Sequence, residues 1–177
     1  GRFATADGRA RFFDTPFVPL AEPRDARHPF SLTTGRLRDQ WHGMSRTGTV
    51  PRLFNLEDEP LLAMHPCDLR HRGLSSGDLA RVANARGSIV VRVAERPGLK
   101  KGRAWMPMHW GSQFMNSPGV NALACDATDP YSKQPELKHT AVRLKKADLP
   151  WRLLAAAWLP EDDALALRQA LQPLMAG

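Results

Sequence analysis

Arg36, Arg38, His42 and Arg46 fall within eleven residues of one another, interleaved with the hydroxyls of Thr33, Thr34 and Ser45 and with Trp41. Guanidiniums, hydroxyls and exposed backbone N–H groups are the donors that hold phosphates or a polar heterocycle. Gly35 breaks what begins as a short strand, so these groups are expected on a loop at a strand end. Arg36 and Arg46 bracket a tryptophan and a glycine, an arrangement suited to clamping an anion. Arg36 is expected to matter more to that task than Arg86. His42, beside Trp41, is expected to face a polar ligand. The chemistry indicated is binding.

Groups for covalent or hydrolytic catalysis do not assemble. Ser45, Ser112 and Ser132 lack a G-x-S-x-G frame, and no phosphate-cradling G-x-x-x-x-G-K or G-x-G-x-x-G is present. His65, His71 and His139 stand at no metal-ligand spacing and read as structural or surface residues. Cys67 and Cys125 are isolated, so neither a disulfide framework nor a zinc site is expected, and both read as small buried hydrophobes. No catalytic residue and no metal ligand is therefore assigned. His109, at the start of a long loop, has a position suited equally to a site and to packing.

Around that loop the chain reads as many short strands. Residues 1–13 suggest two extended runs about an Asp7-Gly8 turn. Prolines at 16, 19, 23 and 29 argue for an extended linker up to residue 29. Phe30 should open the domain. Pro51 can start a helical turn, Leu61–His65 reads as a strand, and Pro66 to Arg72 as a short helix closed by Gly73. Leu79–Asn84 and Ser88–Ala94 form a hairpin, with Ile89, Val91 and Val93 on one face. Arg103–Met108 is a further strand that Pro107 confines to an edge or an end. Residues 109–135 make a long polar loop, uncommon unless functional. His139–Lys145 returns as the final strand. Trp151–Leu159 is helical in composition, and Pro160-Glu-Asp-Asp163 opens a second helix carrying Leu165, Leu167, Leu171 and Leu174. Short strands with short helical links and two long polar loops suggest a small closed barrel.

The 177 residues carry 25 Lys and Arg against 18 Asp and Glu, a formal charge of +7. That favours an anionic ligand. The basic residues are scattered, with no basic helix or aromatic-studded strand, so no nucleic-acid partner is expected. No stretch approaches the roughly 20 apolar residues of a membrane span.

These residues together resemble the C-terminal dinucleotide-binding domain of the molybdopterin oxidoreductases. The matching segments are Leu32-Thr-Thr-Gly-Arg36, Gln40-Trp-His42 through Ser45-Arg46, Leu62-Ala-Met-His-Pro66, Gly73-Leu-Ser-Ser-Gly-Asp78 and Asp129-Pro-Tyr-Ser-Lys133. Phe3 to Phe12 is similar to the segment preceding this domain in the family. Met106-Pro-Met-His-Trp-Gly111, Gly119-Val-Asn-Ala-Leu123, Ser132 to His139 and Asp148-Leu-Pro-Trp151 resemble the bacterial assimilatory nitrate reductase branch. The resemblance implies a mainly β fold with short helices, a double-psi β-barrel over 30–147 with the Gly77-Asp78 turn at a strand crossover. Residues 1–29 would then belong to the preceding domain and 148–177 to a helical C-terminal extension. It implies bis-(molybdopterin guanine dinucleotide) with molybdenum, held by Thr33, Thr34, Gly35, Arg36, Trp41, His42, Met44, Ser45 and Arg46 on one wall and by Asn121 and Lys138 on the other. It further implies a cytoplasmic enzyme whose metal ligand and iron–sulfur cluster lie upstream, with nitrate as substrate and a separate electron donor. The same domain from a periplasmic nitrate reductase or a formate dehydrogenase, and a non-enzymatic double-psi barrel adaptor, stand as the alternatives. A fragment of this kind is expected to be inactive alone.

Overall fold

Alternation decides where the core lies. In strand β4 (Ser88–Glu95), Ile89, Val91 and Val93 are buried while Val90 and Arg92 are only partly so. β3 (Leu79–Ala83) pairs with it antiparallel as the expected hairpin, Ala80 opposite Val91 and Val82 opposite Ile89. The remaining strands are β1 (Phe30–Gly35), β2 (Leu61–Met64), β5 (Arg103–Pro107) and β6 (Thr140–Lys146). The structure, a computed structural model, describes residues 1–115, 117–149 and 158–175.

The six strands close into a barrel in the order β1-β5-β2-β4-β3-β6. β1 runs parallel to β5 and β2 parallel to β4, and every other pairing is antiparallel. Exchanging β1, β2, β3 with β4, β5, β6 maps this ring onto itself, with parallel pairs falling on parallel pairs. Each half of the chain thus threads a parallel strand through the other half, which is the double-psi arrangement. Pro107 sits at a strand end, because a closed barrel has no edge for it to occupy. The Gly77-Asp78 turn lies at the crossover into β3. Gly77 has φ +92°, its N–H donates to the Val93 carbonyl, and Asp78 returns the bond by accepting from the Val93 N–H.

Leu32, Leu62, Met64, Val82, Ile89, Met106, Val142 and Leu144 fill the barrel. Leu69 of helix α1 (Pro66–His71) and Leu74 just beyond it join this cluster. Proline at its first turn, the His65 ring accepting from the Cys67 N–H, and Gly73 at φ +65° define its two ends. Cys67 on this helix is half-buried rather than buried, its sulfur accepting from Arg70, whereas Cys125 is buried as expected.

Three expectations are corrected. The Asp7-Gly8 turn is present, but no strand ladder flanks it. The 109–135 loop is not structureless: Val120–Leu123 forms a 3-10 turn that adds Val120 and Leu123 to the core, and Thr128 bridges Pro135. Trp158 and Leu159 are exposed and non-helical; the rest of that expected helix, residues 151–157, lies outside the described residues. Helix α2 (Glu161–Met175) opens as expected on Glu161, Asp162 and Asp163, and Leu165 and Leu167 on it are exposed.

Candidate functional site

Strand directions bring the polar loops together. The C-termini of β1, β3 and β5 and the N-termini of β2, β4 and β6 share one end of the barrel. The connections 36–60, 84–87 and 108–139 therefore all emerge there, and the two long loops border one rim.

That rim is bonded across its seam. The Thr33 hydroxyl donates to the Lys138 carbonyl at 3.0 Å and the Thr34 hydroxyl to the Leu137 carbonyl at 2.9 Å. The Lys138 ammonium donates to the Thr34 carbonyl at 2.8 Å, and the Met108 N–H to the Gly35 carbonyl at 2.9 Å. Thr33 and Thr34 thus brace the two walls, with their hydroxyl protons already spent on carbonyls. Gly35 is required small, since a Cβ there would fall on the Trp105 indole.

His109 joins the two loops at a second place. Its ring is 1% exposed; Nε2 accepts from the Leu37 N–H at 2.8 Å and Nδ1 donates to the His42 carbonyl at 2.7 Å. A carbonyl only accepts, so Nδ1 carries the proton and Nε2 is bare. Burial pushes the ring's pKa below its ordinary value, and the nearby Arg36 and His42 push the same way, against the bond to the His42 carbonyl, which favours the charged form.

Beyond that pin the loop turns back sharply. His42 and Met44 take φ values of +45° and +61°, left-handed backbone costing on the order of 1–3 kcal/mol each at a non-glycine residue. The Met44 N–H bonds the Trp41 carbonyl, and the Met44 side chain is fully buried, so it packs under the loop instead of facing outward. Gln40 is buried too, its Nε2 donating to the Leu53 carbonyl, while its Oε1 is buried without a partner. Exposed on the outer side are Arg36, Trp41, His42, Ser45 and Arg46. The Arg36 guanidinium lies 5.1 Å from the Trp41 ring centre, and the His42 ring meets Trp41 edge-on at 4.5 Å.

Three cations on this rim stand without an acidic partner. Among the described residues Arg36, Arg46 and Lys138 have no carboxylate partner within ion-pair distance; Arg38 pairs with its neighbour Asp39. Unpaired cations beside a flat aromatic suit a ligand combining anionic phosphates with planar rings, so these residues fit a dinucleotide.

Asn121 is exposed on the Val120–Leu123 turn at the same end, on the side of the β3–β4 hairpin. That turn is anchored by Asn84, whose amide donates to the Leu123 carbonyl at 2.7 Å, and by Arg86, whose Nε and Nη2 reach the same oxygen while Nη1 pairs with Glu22 at 2.6 Å. Arg86 is therefore not the neutral comparison for Arg36 that its surface-like sequence context suggests. Arg86→Ala is expected to destabilise the barrel by about 1–3 kcal/mol, since it removes charge-assisted bonds to a half-buried carbonyl. A urea midpoint unchanged from wild type would contradict that anchoring role.

Sequence reasoning left His109 between two roles, named Gln40 only as part of a matching segment, and took Arg86 only as a comparison for Arg36. For His109 the usable signal was its place just after β5, where the chain enters the second loop. For Gln40 and Arg86 none was available, because their partners are backbone carbonyls distant in sequence.

Fold and rim together define a double-psi barrel with unpaired cations exposed at one end. Residues 30–141 match the family described as the molydopterin dinucleotide binding domain, and the chain belongs to that family. It is 40% identical over 154 residues to a nitrate reductase from Klebsiella oxytoca, covering 87% of this chain and 16% of that relative's length. Acetylene hydratase from Pelobacter acetylenicus has a similar fold, with a TM-score of 0.57 and 18% identity over 68% of this chain and 18% of that one.

Proposed function

We propose that this chain is the C-terminal, cofactor-binding part of a molybdenum-dependent nitrate reductase of the assimilatory, cytoplasmic kind, holding bis-(molybdopterin guanine dinucleotide). The binding unit is 30–147, with 1–29 belonging to the preceding domain and 148–177 an extension. The observation that carries this reading is the set of carboxylate-free cations, Arg36, Arg46 and Lys138, on two loops that are bonded together. Its likeness to a nitrate reductase supports nitrate as the substrate.

In this reading Arg36, Arg46 and Lys138 neutralise pyrophosphate, for which fixed cationic donors are required. Trp41 and His42 offer ring faces to a flat heterocycle. Ser45 and Asn121 supply hydrogen bonds to its polar edge, while Thr33, Thr34, Gly35 and Met44 shape the wall beneath. Oxygen-atom transfer is the chemistry a bound molybdenum group would supply, nitrate becoming nitrite and water with two electrons from the donor and two protons. The metal's protein ligand and the iron–sulfur cluster belong to other parts of the full-length polypeptide, which also meets the electron donor.

The test is turnover. Full-length protein with a reduced viologen is expected to convert nitrate to nitrite, and the 177-residue chain alone is not. Nitrite production by the isolated chain, or its absence from a cofactor-loaded full-length enzyme, would overturn the assignment.

A further inference from the structure

The geometry points to His109 as the positioning residue of the cofactor rim, a latch that holds the Arg36–Trp41 face in place only as its neutral Nδ1–H tautomer. This rests on the reading of the rim as a dinucleotide site, but the latch itself is a property of the chain and can be tested without cofactor.

The ring stands between the residues that flank the exposed face. Leu37 directly follows Arg36, and His42 directly follows Trp41. Both are held by one imidazole, through the Leu37 N–H at 2.8 Å and the His42 carbonyl at 2.7 Å. His109 comes from the opposite loop, two residues after β5 and next to Met108, whose N–H bonds the Gly35 carbonyl. This one buried side chain therefore adds, to the Thr33, Thr34 and Met108 bonds at the strand end, the hold on the loop between Arg36 and Trp41. Water cannot substitute readily, because the ring is 1% exposed.

The bonding pattern leaves one acceptable proton arrangement. Leu37 presents a donor and needs a bare nitrogen; His42 presents an acceptor and needs a protonated one. A second proton on Nε2 would set N–H against N–H and open the Leu37 side. Groups facing the ring resist that charge: the cation of Arg36, the His42 imidazole and burial in the loop seam. No carboxylate is paired there among the described residues; Asp39 on the same loop is engaged with Arg38. The latch is thus closed above the ordinary imidazole range and strained open as the ring is forced to protonate. Unfolded histidine takes its proton first, near pH 6.5, so the contribution is complete above that value and is lost as pH falls toward the lower folded pKa.

The experiment uses two arms. In the 177-residue chain, nitrogen NMR of the imidazole is expected to show Nδ1 protonated at pH 7.5, with the Leu37 amide protected from exchange. His109→Gln, which retains one acceptor and one donor, should keep that protection across pH 5 to 8. His109→Leu should lower it at least about tenfold, the loss of one net hydrogen bond, and wild type should lose protection in acid as the glutamine variant does not. In the full-length protein, the same order of variants is expected for retention of molybdenum and guanine nucleotide on gel filtration at pH 7.5, with His109→Gln closer to wild type. An Nε2–H tautomer, or Leu37 protection equal in wild type and a folded His109→Leu, would overturn the latch. Retention that falls equally in the glutamine and leucine variants, despite protected Leu37 in the former, would overturn the positioning role. Full-length wild type lacking cofactor would instead refute the underlying functional reading and leave the exchange result to judge the latch alone.

Discussion

Arg36→Glu is expected to strip the dinucleotide from the full-length protein while leaving the barrel folded. The side chain is exposed, stacks on Trp41 at 5.1 Å and has no carboxylate to release. Its removal therefore leaves no buried group unsatisfied, and the thermal midpoint should stay near wild type. A charge-assisted hydrogen bond to phosphate is worth about 10- to 100-fold in affinity, and placing a carboxylate against a pyrophosphate adds repulsion to that loss. Retained cofactor, measured as guanine nucleotide released from gel-filtered protein, should fall at least about tenfold. Lys100→Glu is the proper comparison: it makes the same charge change on the 96–102 connection, at the opposite end of the barrel. Equal losses at both positions would mean that bulk charge matters and the rim does not.

Gly119→Ala should be the most damaging small substitution in the second loop. Gly119 has φ +80° and ψ −172°, a region open essentially to glycine alone and costing on the order of 1–3 kcal/mol otherwise. An added Cβ would also fall on the Trp110 backbone carbonyl, which has no rotamer with which to escape. Relief requires moving either Trp110, which carries His109 with it, or the Val120–Leu123 turn, which withdraws two core side chains. Destabilisation of about 3 kcal/mol or more is expected from the two effects together. Gly98→Ala, with open space around its Cβ position and no positive φ, should change stability by less than about 0.5 kcal/mol. Urea midpoints for the two variants that agree with each other would contradict this reading.

Local pattern explains why the elements were readable. Alternation of Ile89, Val91 and Val93, proline and glycine at the ends of α1, and the break after Gly35 are all signals carried within a few residues. The 3-10 turn was missed because its two core residues, Val120 and Leu123, make only one period in a polar loop. The exposed candidate groups stand out in the same way: Arg36, Trp41, His42 and Arg46 are set apart by type and spacing, and all four are exposed. Buried bonding is different in kind. Ser31 meets His139 across 108 positions at 2.8 Å, and the other nitrogen of that ring reaches the Glu22 carbonyl across 117. Arg86 finds Leu123, and His109 finds Leu37 and His42, only once the barrel closes. Residue type announces a capacity to bond; topology selects the partner. Met44 makes the same point from the apolar side, since its left-handed backbone turns a residue of the polar Ser31–Arg46 stretch into the packing beneath it.

One measurement bears most directly on the rim as a dinucleotide holder. Full-length protein, purified and gel-filtered, is to be analysed for molybdenum and for guanine nucleotide released by acid. Molybdenum and guanine nucleotide eluting together with wild-type protein, and both depleted in Arg36→Glu but not in Lys100→Glu, is the expected result. Folded wild-type protein carrying neither would contradict it.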